Sequence, residues 1–272
     1  WDTPSAGANI ARMPVSGFIT GDKATDDLLE RISEDSTAKA LVLAIDSPGG
    51  TTTGSEILYD AVRKVAATKP VVAELGTLAA SGGYIAAISA DHIVTRRNTL
   101  TGSIGVIFQW ANLSKLLESL GVSVDTVKSA PLKAEPNPFT PENPEAIAAM
   151  ERLVADSFDW FVGLVAERRN MNPASARALA DGRLYTGKQA VENGLVDEIG
   201  GEKEIRAWLA GRGVDDPDLP IRDVTPQSRF SALGLAGLAR AAGLDTLAGL
   251  LSREQAAQAG LLSVWYPQIA DR

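Results

Sequence analysis

Two short apolar runs, Leu41 to Ile45 and Val71 to Leu75, each lead into a glycine-bearing stretch and then into a helix-period segment. Repetition of that unit constrains the chain more than any other feature, because strand–helix alternation builds a partly parallel sheet covered by helices. Leu41 to Ile45 is apolar without interruption, as a strand buried on both faces would be. It ends in DSPGG, Asp46 to Gly50, which reads alone as a β-turn. Beyond it Thr53 and Glu56 fit a capping box, and Ile57, Leu58, Ala61, Val62 and Val65 form one helical stripe. Lys69 and Pro70 stop that helix. Further strands are predicted at His92 to Thr95, Ile104 to Phe108 and Val122 to Val127, with Leu113 to Leu120 helical before the last. The proline-rich stretch from Pro131 to Pro144 must be largely extended. Helices are expected from Pro144 to about Arg169 and over Ala174 to Ala180. Leu184 to Gly201 then reads as strand, helix, Gly194 cap and strand.

Composition narrows the function classes. The 272 residues carry a net charge of −8 without long basic runs, which argues against a nucleic-acid partner. No window of about 20 residues is apolar enough to span a bilayer. With no cysteine, disulfides, thiolate metal sites and a cysteine nucleophile are all excluded. His92 is the only histidine, so a multi-histidine metal site is excluded as well, and no metal is expected. The chain begins at Trp1 rather than methionine, so a signal or membrane anchor is expected to have preceded it. From Phe230 onward Leu, Ala and Gly dominate, a pattern suited to a packing or oligomer helix.

The chemistry-bearing candidate is Ser81, in LAASGGYIAA, where a strand turns into a helix. A serine there serves as an ordinary helix N-cap. It serves equally as a nucleophile displayed on an elbow, with the Gly82 amide beside it to receive an oxyanion and two glycines admitting a substrate closely. The glycines of DSPGG could aim a second amide into the same cleft. A serine hydroxyl needs a base at neutral pH. His92 lies at the far end of the short helix, roughly 12–15 Å from Ser81 at helical rise. Lysine is the other known partner of serine. Of the nine lysines, Lys133 stands apart in SAPLKAEPNPF, a stiff apolar setting of the kind that lowers a lysine from about 10.4 toward neutrality by desolvation. Glu135 opposes this by favouring the charged amine, and Lys128 is the nearest rival base.

Five segments in order, DSPGG, LAASGGYIAA, LTGSIGV, VKSAPLK and DGRLYTGKQAVENGLVDEIGG, resemble the signal peptide peptidase A family of serine–lysine peptidases. The likeness runs from about Ile10 to Leu209. It implies an α/β fold of the Clp-type protease and crotonase kind, a spiral of ββα units, over a peptidase domain of residues 1–213 with 214–272 as an extension. It implies Ser81 as nucleophile, Lys133 as general base, the amides of Gly50 and Gly82 as oxyanion hole, and Ser103 as the serine that orients the lysine. The strand around Ile104 to Phe108 would bind substrate by β-augmentation. One set of motifs marks the half-length type, whose members form homo-oligomeric rings with serine and lysine meeting across a subunit boundary. Apolar peptides such as cleaved signal peptides would be the substrates, at a bacterial envelope with inner-membrane anchoring, and no cofactor is required. Rival readings are a crotonase-like acyl-CoA enzyme using Glu74 or Glu56, a capsid-maturation protease with the same chemistry, and a non-catalytic scaffold.

Overall fold

The computed structural model describes residues 7–226 and a strand at 262–264. The chain opens with β1 (Asn9–Ile19), α1 (Lys23–Glu34), β2 (Ala38–Thr51), α2 (Thr52–Ala66), β3 (Val71–Ala80) and α3 (Gly82–Ile88). There follow β4 (His92–Thr95), β5 (Leu100–Gly102), α4 (Ser114–Ser119), α5 (Pro144–Arg168), α6 (Pro173–Ala178) and β6 (Leu184–Thr186). The described chain closes with α7 (Gly187–Glu192), β7 (Glu198–Ile199), α8 (Glu202–Ala210), β8 (Ile221–Asp223) and β9 (Leu262–Val264).

One sheet organises these elements, in the order β6-β5-β3-β2-β1-β8. Strands β1, β2 and β3 are mutually parallel, as the alternation of strand and helix predicts. Strand β3 is a fork. Its first half, Val72 to Leu75, pairs with β4, and its second half, Leu78 to Ala80, pairs with β5. The two branches diverge just before Ser81.

Burial follows the two-residue period of a strand. In β2, Leu41, Leu43 and Ile45 enter a large cluster with residues of α1, α2, α3 and α5, such as Leu29, Val62, Ile85 and Phe161. Ala40 and Val42 point to the opposite face, against Ile205 and Leu209 of α8. Both faces are covered, which is why the run is apolar throughout.

Four expectations need correction. The proline-rich stretch expected to be largely extended instead turns and bends over residues 131–140, where amides of Lys133 and Glu135 bond back to Ala130 and Leu132. DSPGG is not a β-turn: β2 continues through it, pairing Gly49 and Gly50 with Phe18 and Ile19 of β1. The helix that follows is capped by Thr51, whose hydroxyl accepts from the Gly54 amide, rather than by Thr53. The cap falls two residues earlier because Thr51, still extended at ψ 148° as the last residue of β2, aims its hydroxyl at the Gly54 amide. Ile104 to Phe108 and Val122 to Val127 form no strand beyond an isolated bridge at Ile107. Alternating apolar residues do not make a strand where the backbone finds no ladder to join. Of the stretch from Phe230 onward, for which a packing or oligomer helix is expected, only Leu262–Val264 lies within the described residues, and it is the strand β9.

Helix α3 is wholly buried, and Tyr84 on it donates its hydroxyl to the Leu195 carbonyl at 2.8 Å. Tyr84→Phe leaves that carbonyl unpaired in the core, and a loss of about 1–2 kcal/mol is expected from urea unfolding.

Candidate active site

Ser81 joins β3 to α3 with φ 55° and ψ −116°, a left-handed-side conformation that few residues with a Cβ adopt. Its amide donates to the Gly102 carbonyl at 2.8 Å, and its own carbonyl accepts from Tyr84 and Ile85. Its side chain makes no capping bond to the helix. The side-chain N-cap reading of this serine therefore fails, and the residue forms a sharp corner between strand and helix.

The end of β2 lies directly against this elbow. A Cβ on Gly82 would fall 2.3 Å from the Ser55 hydroxyl and 2.9 Å from the Gly50 amide nitrogen. One on Gly50 would fall 1.9 Å from the Ile19 carbonyl oxygen. Glycine at both positions is what lets two backbone segments meet beside Ser81. Past Ser47, which pairs with Ala79, β2 parts from β3, and Gly49 to Thr51 take β9 as an antiparallel neighbour with Ser263 opposite Gly50. That edge accepts an extended chain.

Ser81 and Ser103 line one cleft of about 430 Å³, walled by Ile104, Val106, Val154 and Phe158. Ser103 also has a positive φ, 49°, and its amide donates to the Arg183 carbonyl at 2.8 Å. Asp181 lies on the rim, its carboxylate accepting from Arg183 Nε at 2.6 Å, which holds it below the usual carboxylate range. Val154, Phe158 and Asp181 were not singled out as site residues from the sequence. The only hint was the aromatic content of α5, and the fold alone brings it to the serine.

The candidate bases separate clearly. His92 accepts or donates at 2.7 Å to Glu198 and stacks on Trp208 with ring centroids 5.0 Å apart, so it is part of the β4–β7 margin and not of the cleft. Lys128 is ion-paired with Glu135. Lys133 is exposed on a turn and is not among the residues lining the Ser81 cleft. Neither Glu56 nor Glu74 lines it either, and Glu74 faces Arg96 at 3.6 Å. Among the described residues no acidic or histidine cluster could hold a metal ion, and no helix is long and apolar enough to cross a membrane.

The family model of peptidase family S49 matches residues 63–213, a stretch that holds Ser81, Ser103 and Lys133. The chain belongs to peptidase family S49. This S49 peptidase is 40% identical over 211 residues to a Synechocystis sp. protein assigned as a protease, covering 77% of the present chain and 76% of the other. It is 41% identical over 173 residues to a protein of Enterococcus faecium assigned as signal peptide peptidase SppA. That match covers 63% of this chain and half of the enterococcal one. Among solved structures, an alanine mutant of the 1510-N membrane-bound stomatin-specific protease superposes with a TM-score of 0.51 at 16% identity, over 82% of this chain and all of that one. The last likeness concerns the fold.

If the Gly82–Gly50 approach is what shapes the elbow, Gly82→Ala should destabilise the S49 peptidase by about 1–3 kcal/mol in denaturant titration. Adding Ser55→Ala, which removes the nearest obstructing atom, should recover part of that loss; strict additivity of the two changes would count against it.

Proposed function

We propose that this S49 peptidase is a serine endopeptidase with Ser81 as nucleophile and Lys133 as general base. The observation that carries the reading is the strained backbone of Ser81, at a strand-to-helix corner where the hydroxyl does nothing for the helix. Strain of that kind, about 1–3 kcal/mol, persists where the surrounding structure enforces it, and it clusters at functional sites. In the proposed reaction the Ser81 hydroxyl attacks a peptide carbonyl while the neutral Lys133 amine takes its proton. The amides of Gly82 and Gly50 receive the developing oxyanion. The Lys133 ammonium then protonates the departing amine, leaving an acyl-enzyme. Water, deprotonated by the same lysine, releases the acid product. Ser103 orients the lysine, a role supported by its place in the same cleft. None of these steps calls for a metal or organic cofactor.

A single chain does not supply the base to the cleft. The segment that bears Lys133 instead exposes Ile107, Leu113, Leu116, Leu120, Val127 and Phe139. So many large apolar side chains in one stretch mark an interaction surface. We infer that a second copy covers this arm and that Lys133 reaches the Ser81 of a neighbour in a closed homo-oligomeric ring. Residues 1–213 form the peptidase unit in this reading, a Clp-type and crotonase-like spiral of ββα units, and 214–272 an extension tied back through β8 and β9.

Substrates are apolar peptides bound in extended form, cleaved signal peptides among them, at a bacterial envelope. The Gly49 to Thr51 edge already pairs with the extended β9, the mode of main-chain pairing a substrate would adopt in its place, and the Ile104, Val106, Val154 and Phe158 wall offers apolar side-chain contact. The strand role expected of Ile104 to Phe108 thus passes to β2. The enterococcal relative's name supports the substrate class.

Ser81→Ala should lower hydrolysis of an apolar reporter peptide at least about 10³-fold and abolish fluorophosphonate labelling, with the fold intact. Retained turnover would reject the nucleophile. Mixing inactive Ser81→Ala chains with inactive Lys133→Met chains should restore about a quarter of wild-type activity, since a shared site draws each partner at random. No recovery after co-refolding would reject the shared site.

A further inference from the structure

The mechanism needs an uncharged amine at Lys133, and a carboxylate stands two residues away at Glu135. Two residues of chain place their Cα atoms no more than about 7.6 Å apart, inside the screening distance of about 8–10 Å in physiological salt. An uncompensated carboxylate that close along the chain favours the charged form of an amine. Left alone, Glu135 would hold the proton on Lys133 and work against the reaction.

Glu135 is not left alone. Its carboxylate forms an ion pair with Lys128, and the same oxygen accepts from the Asn137 amide at 2.8 Å. The two charged side chains are 20% and 9% exposed, well covered for a pair carried on an otherwise exposed arm. The pairing also holds the carboxyl below its usual range, so it remains anionic throughout neutral pH. Asn137 in turn donates to the Thr140 hydroxyl and accepts from the amides of Phe139 and Thr140. Between the two ends of this clasp the backbone makes consecutive turns. Lys133 donates its amide to the Ala130 carbonyl at 3.1 Å and Glu135 to Leu132 at 3.2 Å, with Ala134 at φ 60°. Lys133 is thereby carried at the tip of a loop closed by Lys128 and Glu135.

From residue 126 to residue 140 the only charged side chains are Lys128, Lys133 and Glu135. A further backbone tie, from Leu113 to the Pro138 carbonyl, leads to α4 with Lys115 and Glu118. Neither of those is ion-paired with the clasp among the described residues.

We propose that Lys128 is a positioning residue of the peptidase: by pairing with Glu135 it closes the loop that presents Lys133 and cancels the carboxylate that would keep the Lys133 amine protonated. Lys128, the rival base in the sequence, is then the counter-ion that frees the actual one. This rests on the assignment of Lys133 as base.

Two opposite signs make the idea testable in the assembled enzyme, through the pH dependence of kcat/KM on an apolar reporter peptide. Lys128→Met leaves Glu135 uncompensated, which favours the ammonium, so the acid limb should move up by about half a pH unit or more. Glu135→Gln leaves the Lys128 charge uncompensated, which disfavours the ammonium, so the limb should move down. The double variant should return the limb close to wild type, and Lys128→Arg should leave it in place even if Lys128→Met folds poorly. Profiles that stay fixed in both single variants, or that shift in the same direction, would overturn the proposal and reduce the pair to a structural clasp. Lys133→Met is read separately. Turnover surviving in it removes the base assignment itself, whereas an inactive Lys133→Met with unmoved profiles in the other variants removes only the role of Lys128.

Discussion

The contact between the glycine end of β2 and the Ser81 elbow is the constraint on which the rest of the site depends. Gly50 has no room for a Cβ against Ile19, and Gly82 has none against Ser55 and Gly50. Those two tolerances bring the backbone of one βα unit against the turn of the next. Everything proposed for the chemistry, from the pair of amides to the substrate edge at Gly49 to Thr51, uses that proximity. Three further arrangements hold it in place. The Ser81 amide is fixed to Gly102, β3 divides between β4 and β5 just before the elbow, and buried α3 ties Tyr84 to Leu195. A site framed by main-chain atoms depends little on side-chain rotamers, so its precision comes from the sheet.

The second half of the proposed chemistry is organised on a different principle. Lys133 stands on an arm whose apolar residues Ile107, Leu113, Leu116, Leu120, Val127 and Phe139 are exposed among the described residues. Where the serine half is rigid because it is buried, the lysine half is locally shaped by polar ties among Lys128, Glu135, Asn137 and Thr140. Splitting nucleophile and base between these two environments would make catalytic competence a property of the assembly and would keep an isolated chain inert.

Much of this was legible in the residues because it is local. The uninterrupted run Leu41 to Ile45 announces a strand covered on both faces, and Ser-Gly-Gly marks a strand-to-helix corner while leaving cap and elbow both open. What the sequence obscured is decided by distant partners. DSPGG carries the residues of a turn, yet β1 pairs with it and keeps it extended. Val122 to Val127 alternates as a strand should, yet it meets no ladder. The cleft wall at Val154 and Phe158 comes from a helix more than seventy residues past the serine, and no local pattern marks those positions as site residues. Glu135 looked like an obstacle to Lys133 because its partner Lys128, seven residues back, is brought to it only by the folded loop.

The backbone angles of Ser81 carry a consequence for how this position can change. A residue without a Cβ would relax there, by about 1 kcal/mol or more on steric grounds. Glycine is thus the downhill replacement, and a drifting sequence freed from the need for an alcohol would gain stability by losing it. With Ser81 as the proposed nucleophile, its alcohol would stand against a thermodynamic gradient, and a catalyst and a sturdier inert variant would differ at residue 81 by a single side chain.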